Sequence, residues 1–160
     1  MTPLPTAAAP PPGVQRVVYD EELLERSWHW LTNPALSALT DTAPFTREQQ
    51  RAWFAGLPTR TDYVGWGVEV DGNPVGAFGL KHITERDAEY WAYLAEPSSR
   101  GRGIGQWMFK VVCDEGRQRG LSHLTGVVLK TNERSLRVHL ELGFHIVRED
   151  DERTYIVYDL

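Results

Sequence analysis

The period of hydrophobic positions changes along the chain and divides it into elements. Leu23, Leu24, Ser27, Trp28 and Leu31 recur at helical spacing, which predicts a helix with Asp20 as N-cap and Asn33-Pro34 as its end. Trp30 lies off the centre of that stripe. Ahead of it, Gln15 to Tyr19 is β-branched and reads as a short edge strand. Thr46-Arg47-Glu48-Gln49 is a capping-box pattern opening a helix that carries Trp53 and Phe54 and stops near Gly56, with a loop around Pro44 before it. The texture then turns strand-like. Tyr63 to Val70 and Val75 to Ile83 are predicted strands joined by a hairpin turn at Asp71-Gly72-Asn73-Pro74. Ala88 to Ala95 is the third strand of this meander, with Glu89, Trp91 and Tyr93 on one face and Tyr90 and Leu94 on the other.

Helical spacing returns at Ile104, Trp107, Met108, Val111, Val112 and Glu115, ending near Gly120. Leu124 to Lys130 is a strand. Asn132 is a good N-cap for a helix to about Leu142, with Gly143 at its C′ position. Phe144 to Arg148 and Thr154 to Tyr158 form a closing hairpin about Asp150-Asp151. Met1 to Gly13 is rich in proline and alanine and lacks the basic start and apolar centre of a signal peptide, so it reads as a disordered tail. That leaves 14–160 as a single domain of α/β (α+β) class.

Composition narrows the function without naming it. A net charge of −5 weighs against a general nucleic-acid or anionic-membrane binder. No apolar run approaches the ~18 residues that span a bilayer. The single cysteine, Cys113, excludes an internal disulfide and fits a reducing, cytoplasmic setting; its place in a helical pattern marks it as a small core residue.

The chemistry concentrates at Arg100-Gly101-Arg102-Gly103-Ile104-Gly105. This is a glycine-rich turn running into a helix N-terminus, with two arginines on it. Open N–H groups and the positive end of the helix dipole suit a phosphate there, and glycines admit it without a Cβ in the way.

With this loop following the third meander strand, the element order resembles the GNAT superfamily of acyl-CoA-dependent N-acyltransferases, from about Val17 to Leu160. Arg100-x-x-Gly103-x-Gly105 resembles the family's pyrophosphate loop for coenzyme A. Asn132-x-x-Ser135 and Leu142-Gly143-Phe144 look like its second cofactor-contacting helix. The resemblance implies a central mixed, largely antiparallel twisted sheet of six to seven strands with about four flanking helices. It implies acetyl-CoA as co-substrate and no metal. Cofactor contacts are then expected at Arg100 to Gly105, at Asn132 and Ser135, and at Leu94 and Ala95, where the family's splayed strand meets the pantetheine arm and thioester.

Two branches are similar. Asn132-x-x-Ser135 with Gly143-Phe144 is similar to the branch that acetylates protein N-termini, including ribosomal proteins. Trp28, Trp30, Asn33-Pro34, Trp53-Phe54 and Gly76-x-x-Gly79-Leu80 are similar to the branch that acetylates nucleotide-linked amino sugars, as in the pseudaminic acid pathway. The chain departs from the latter at Leu31, where an arginine is expected, and at Gln50, where a histidine is expected.

An amine attacking a thioester must lose a proton, the oxyanion needs donors, and the departing thiolate takes a proton. Glu89, beside Trp91 and Tyr93 on one strand face, is the first candidate base, and His82 the second. The family usually places a tyrosine acid seven residues after the helix-capping asparagine; that position is His139, on one face with Asn132 and Ser135. The N-terminal-acetylating branch often lacks the tyrosine, leaving solvent to protonate the sulfur. Glu141 stands where the family often has lysine. Trp30 and Trp91 are candidate acceptor contacts, since sugars and nucleobases stack on such faces. The favoured reading is acetyl transfer to a small-molecule amine, an amino sugar or nucleotide-linked amino sugar. N-terminal protein acetylation and a non-catalytic acyl-CoA-binding domain are the alternatives, and a homodimer is left open.

Overall fold

The computed structural model describes residues 8–160. Its elements run β1 (Val14–Val18), α1 (Glu21–Thr32), α2 (Pro34–Thr40), α3 (Arg47–Gly56), β2 (Val64–Val70), β3 (Asn73–Lys81), β4 (Asp87–Leu94), α4 (Ile104–Gln118), β5 (His123–Leu129), α5 (Glu133–Leu142), β6 (His145–Glu149) and β7 (Arg153–Asp159). The strands form one seven-stranded sheet in the order β1-β2-β3-β4-β5-β7-β6, antiparallel except at the β4–β5 pair. β1 is an edge strand, as its length and β-branching predict.

The predicted caps are made as expected. Asp20 Oδ1 accepts from Leu23 N–H at 3.0 Å, and Thr46 and Gln49 close the reciprocal capping box of α3. Gly143, at φ 114°, ends α5 in the left-handed region that favours glycine. The helix α2 is an addition to the sequence reading, which stopped at Asn33-Pro34. Asn33 ends α1 and starts α2, its side chain accepting from Ala35 N–H at 3.0 Å, with Pro34 in the first turn where its missing N–H costs nothing.

By strand alternation the two faces of β4 serve different layers. Tyr90 packs on Phe109 of α4 (ring centroids 5.6 Å apart), within a core that also holds Phe78, Leu80, Trp107, Val112, Leu124 and Ile156. Trp91 and Tyr93 face the other way, towards Tyr63 and towards Trp30 of α1. Cys113 is buried in the α4 core, and burial pushes its thiol up to about 11, which keeps it protonated.

The tail expectation divides in two. Residues 1–7 lie outside the described residues, whereas 8–13 are held: Ala8 O accepts from Trp107 Nε1–H at 3.2 Å and Gly13 O from Asp71 N–H at 2.9 Å. The pair Gly76 and Gly79 also has a purely steric reason. A Cβ would lie 2.1 Å from Tyr93 O at Gly76 and 2.0 Å from Val64 O at Gly79, so the strands approach too closely for any side chain.

Candidate active site

The site begins where the sheet stops being a sheet. β4 pairs with β5 only from Asp87 to Glu89, and beyond that the two parallel strands part. β4 keeps its antiparallel ladder with β3 to Leu94, and Ala95 N–H continues it by donating to Val75 O at 2.7 Å. Alternation in that ladder turns the N–H and C=O groups of Tyr90, Ala92 and Leu94 towards the gap. Of the two residues expected to meet a thioester arm, Leu94 therefore offers its backbone to the gap, while the Ala95 N–H is committed to β3.

The glycine loop follows directly. Gly101 and Gly103 adopt φ 73° and 76°, and Gly103 is the N-cap of α4 without a side-chain cap. The first helical bond runs from Trp107 N–H to Gly103 O (3.2 Å), so the amides of Ile104, Gly105 and Gln106 lie ahead of the helical ladder. A Cβ built at Gly101, Gly103 or Gly105 meets nothing within 4 Å. Arg100 and Arg102 are exposed and make no ion pair among the described residues. Ile104 differs from its neighbours: its side chain is core, so only its backbone is available to a ligand. The result is an open, positively biased anion cradle on a fifteen-residue helix.

A cleft of about 630 Å³ lies on the other side, between the α1–α3 layer and the β4–α5 side. Its aromatic wall is continuous: Trp53 meets Tyr63 edge-on at 5.5 Å, and Tyr63 stacks on Trp91 at 5.7 Å. Trp91 Nε1 is buried with no partner among the described residues, so Trp91 meets the cleft through its carbon atoms. Trp30 is elsewhere. It does not line the cleft; its indole N–H donates to Glu96 Oε1 at 3.2 Å and its ring meets Tyr93 edge-on.

Glu89 lines the cleft, and both its oxygens have cationic or imidazole neighbours: Lys81 Nζ at 3.3 Å and His82 Nδ1 at 3.2 Å. His82 itself is exposed and outside the lining, which makes it a neighbour of the base candidate rather than a rival. Glu89 is the one carboxylate among the lining residues, and Lys81 the one lysine or arginine.

His139 and Ser135 reach the cleft from α5. His139 Nδ1 lies 2.7 Å from Ser135 O, and since a carbonyl only accepts, Nδ1 carries the proton. Burial lowers the His139 pKa, against a smaller opposing effect of that bond. The ring is therefore neutral at neutral pH, with an Nε2 lone pair that has no partner among the described residues. The sequence cast it as the acid for the departing thiolate; with Nδ1 committed to Ser135 O, Nε2 is the nitrogen left for proton transfer.

Asn132 is spent on structure. Its Oδ1 accepts from Ser135 N–H at 3.2 Å, and its Nδ2 donates to Leu39 O at 3.2 Å, joining the start of α5 to α2. Arg153 of β7 makes a second bridge, with Nε and Nη2 at 2.8 and 3.1 Å from the Asp41 carboxylate. Neither bridge was visible in the sequence, because both depend on the unpredicted α2. Gln50 is a third residue whose role the sequence missed: it is buried, lines the cleft, and carries polar bonds to α1. Among the described residues no group of histidine, cysteine and acidic side chains is arranged to hold a metal ion.

The sequence matches the acetyltransferase (GNAT) family over residues 23–144. Phosphinothricin N-acetyltransferase of Streptomyces coelicolor is 26% identical over 114 residues, 67% of this chain and 66% of that protein, so the chain spans just under two thirds of this relative. Among solved structures, N-acetyltransferase PseH of Campylobacter jejuni in complex with acetyl coenzyme A superposes with a TM-score of 0.70 at 17% identity, covering 91% of this chain and 98% of that one. The Salmonella typhimurium acetyltransferase that modifies the N-terminal serine of ribosomal protein L7/L12 superposes at 0.75 and 13% identity, covering 93% and 96%. At these identities the two structures establish a shared fold.

The His139 environment predicts an acid sensitivity. Its folded pKa is depressed, so the stability it contributes is present above its ordinary unfolded value of about 6.5 and is lost as pH falls through the folded value. Denaturant midpoints measured between pH 7.5 and pH 5 should fall more for the wild type than for His139→Gln, with the difference opening on the acid side.

Proposed function

Since that match covers well over half of the chain, the protein belongs to the acetyltransferase (GNAT) family, and from this premise we propose that it transfers the acetyl group of acetyl-CoA to a primary amine of a small molecule, with an amino sugar as the favoured acceptor. The cofactor's pyrophosphate lies on the open amides of Ile104, Gly105 and Gln106, with Arg100 and Arg102 beside it. The pantetheine arm runs into the gap between β4 and β5, where the Leu94 backbone meets it in place of a missing strand.

The chemistry then uses residues on both sides of that gap. Glu89 takes a proton from the acceptor's ammonium, directly or through one water. The amine nitrogen attacks the thioester carbonyl carbon, and backbone N–H groups of β4 stabilise the oxyanion. His139 Nε2 takes the second nitrogen proton from the tetrahedral intermediate. As the carbon–sulfur bond breaks, the same imidazolium, made more acidic by burial, returns that proton to the departing sulfur. The products are the acetamide and free coenzyme A.

The observation that favours a small acceptor is the pair of bridges that tie α2 to α5 and to β7 of the closing hairpin. A peptide N-terminus needs an open groove between the early helices and the closing hairpin. The Arg153–Asp41 ion pair joins those two parts directly, and the Asn132–Leu39 hydrogen bond ties α2 to α5 beside them. The nucleotide-linked form of the sugar has weaker support. A diphosphate calls for several cations, and Lys81, already beside Glu89, is the one lysine or arginine in the lining, with Leu31 where an arginine was expected.

Free thiol release from acetyl-CoA, followed with amino sugars, nucleotide-linked amino sugars and short peptides side by side, tests the acceptor. The expected result is turnover of free amino sugars; turnover of peptides alone contradicts the reading, and no release with any amine leaves only a non-catalytic acyl-CoA-binding domain. The cofactor half has its own test in Gly105→Ala. An added methyl meets nothing within 4 Å beyond its chain neighbours and its own helix backbone, and relieves a helical glycine, so stability should be unchanged or about 0.5–1 kcal/mol higher. Coenzyme A affinity measured by calorimetry should nonetheless fall about tenfold or more, because the methyl occupies the phosphate's approach.

A further inference from the structure

The acceptor cleft contains one polar group that is rigidly held and left unspent. Gln50, on α3, is only 7% exposed, yet it belongs to the cleft lining. Its Nε2 donates to Leu24 O at 2.9 Å and to Ser27 Oγ at 3.2 Å, which uses both amide hydrogens. Leu24 O can only accept, so the nitrogen must face α1 and Oε1 must face away from it. Ser27 is saturated: its hydroxyl donates to Leu24 O at 2.9 Å and accepts from Tyr19 O–H at 2.8 Å as well as from Gln50. Burial pushes the Tyr19 phenol up to about 12, so it stays a donor at neutral pH.

Every donor in this Tyr19–Ser27–Gln50 network is therefore consumed. Gln50 Oε1 has no partner among the described residues, and it is not among the polar atoms sealed from solvent. A neutral acceptor oxygen, fixed by two bonds behind it, is open to the cleft. It stands on the α1–α3 wall, whereas Glu89 and His139 stand on the β4–α5 side where the amine reacts. Its partner is thus a group of the acceptor distant from the reacting nitrogen. That wall offers no carboxylate to a second ammonium, which leaves a neutral donor.

We propose that Gln50 is a specificity-determining residue whose Oε1 accepts a hydrogen bond from a hydroxyl of the acceptor, so that the cleft selects hydroxylated amines over their deoxy counterparts. This rests on the assignment of the cleft as the acceptor site of acetyl transfer. A site built around a fixed polar atom rejects a ligand that leaves the atom unpaired.

Calorimetric binding of glucosamine and its 3-, 4- and 6-deoxy analogues, and of 4-aminocyclohexanol against cyclohexylamine, tests it without relying on catalysis. In the wild type at least one deoxy partner should bind about tenfold more weakly than its hydroxylated parent. Gln50→Met should bring that ratio close to one by weakening the parent and leaving the deoxy compound unchanged, a pattern that general loss of structure does not produce. Should Gln50→Met fail to fold, Ser27→Ala removes one of the two bonds that fix the amide, and the ratio should fall about threefold. Equal affinities in the wild type, no binding of any of these amines, or an unchanged ratio in a folded variant overturns the proposal. Thiol release run in parallel separates the two claims. Discrimination in binding without thiol release refutes acetyl transfer and leaves Gln50 standing; thiol release with equal affinities does the reverse.

Discussion

The feature on which the site depends is the early separation of β4 from β5. Each strand is held by a longer ladder on its other side: β4 by β3 from Lys81 to Gly76, and β5 by β7 along its whole length from His123 to Leu129. Their mutual pairing ends at Glu89 and Thr125. A strand that has lost its neighbour carries unpaired N–H and C=O groups, and inside a fold these must find another partner. Here the gap opens at the end of β4 that leads into the Gly101–Gly103 loop and the N-terminus of α4, which has no side-chain cap. Backbone donors, helix dipole and cleft therefore converge without a metal-binding cluster among the described residues.

The helical side of the cleft is shaped by long-range polar bonds rather than by the sheet. The helix α2 buries no residue of its own. It is held in part by contacts from distant sequence: Asn132 reaches Leu39 and Arg153 reaches Asp41. Exposed ion pairs contribute little individually, on the order of 0.2–1 kcal/mol, so these bridges act chiefly as positional restraints on one side of the cleft. Beneath them, Tyr19, Ser27 and Gln50 give the α1–α3 wall a fixed polar pattern within an otherwise largely aromatic surface.

Local rules made most of the fold legible. Capping residues Asp20, Thr46 and Asn132, the Asp71-Gly72 turn and the hydrophobic periods each act over a few positions, and each element they predict is present. The glycine loop was legible for the same reason, since three glycines and a helix start are contiguous. Residues whose surroundings depend on contacts across the chain were less legible. Asn33-Pro34 looked like a stop and is also a start. Asn132, read as a cofactor contact, also joins α5 to α2 through its amide. Trp30 looked like a stacking platform, but Glu96 and Tyr93 hold it outside the cleft. Gly76 and Gly79, part of a likeness to one branch of the family, also have a steric reason in the carbonyls of Tyr93 and Val64. Gln50 registered only as a departure from histidine, because nothing local reveals that its nitrogen is bound and its oxygen is open.

Amide hydrogen exchange with and without coenzyme A tests the central claim most directly, because it reads the backbone groups to which the cofactor is assigned. The account predicts that the amides of Leu94, Ile104, Gly105 and Gln106 exchange more slowly when coenzyme A is added, while those in the β1–β2 pair, distant in the sheet from the gap, are unaffected. Unchanged exchange at these four amides, with protection appearing elsewhere, would contradict it.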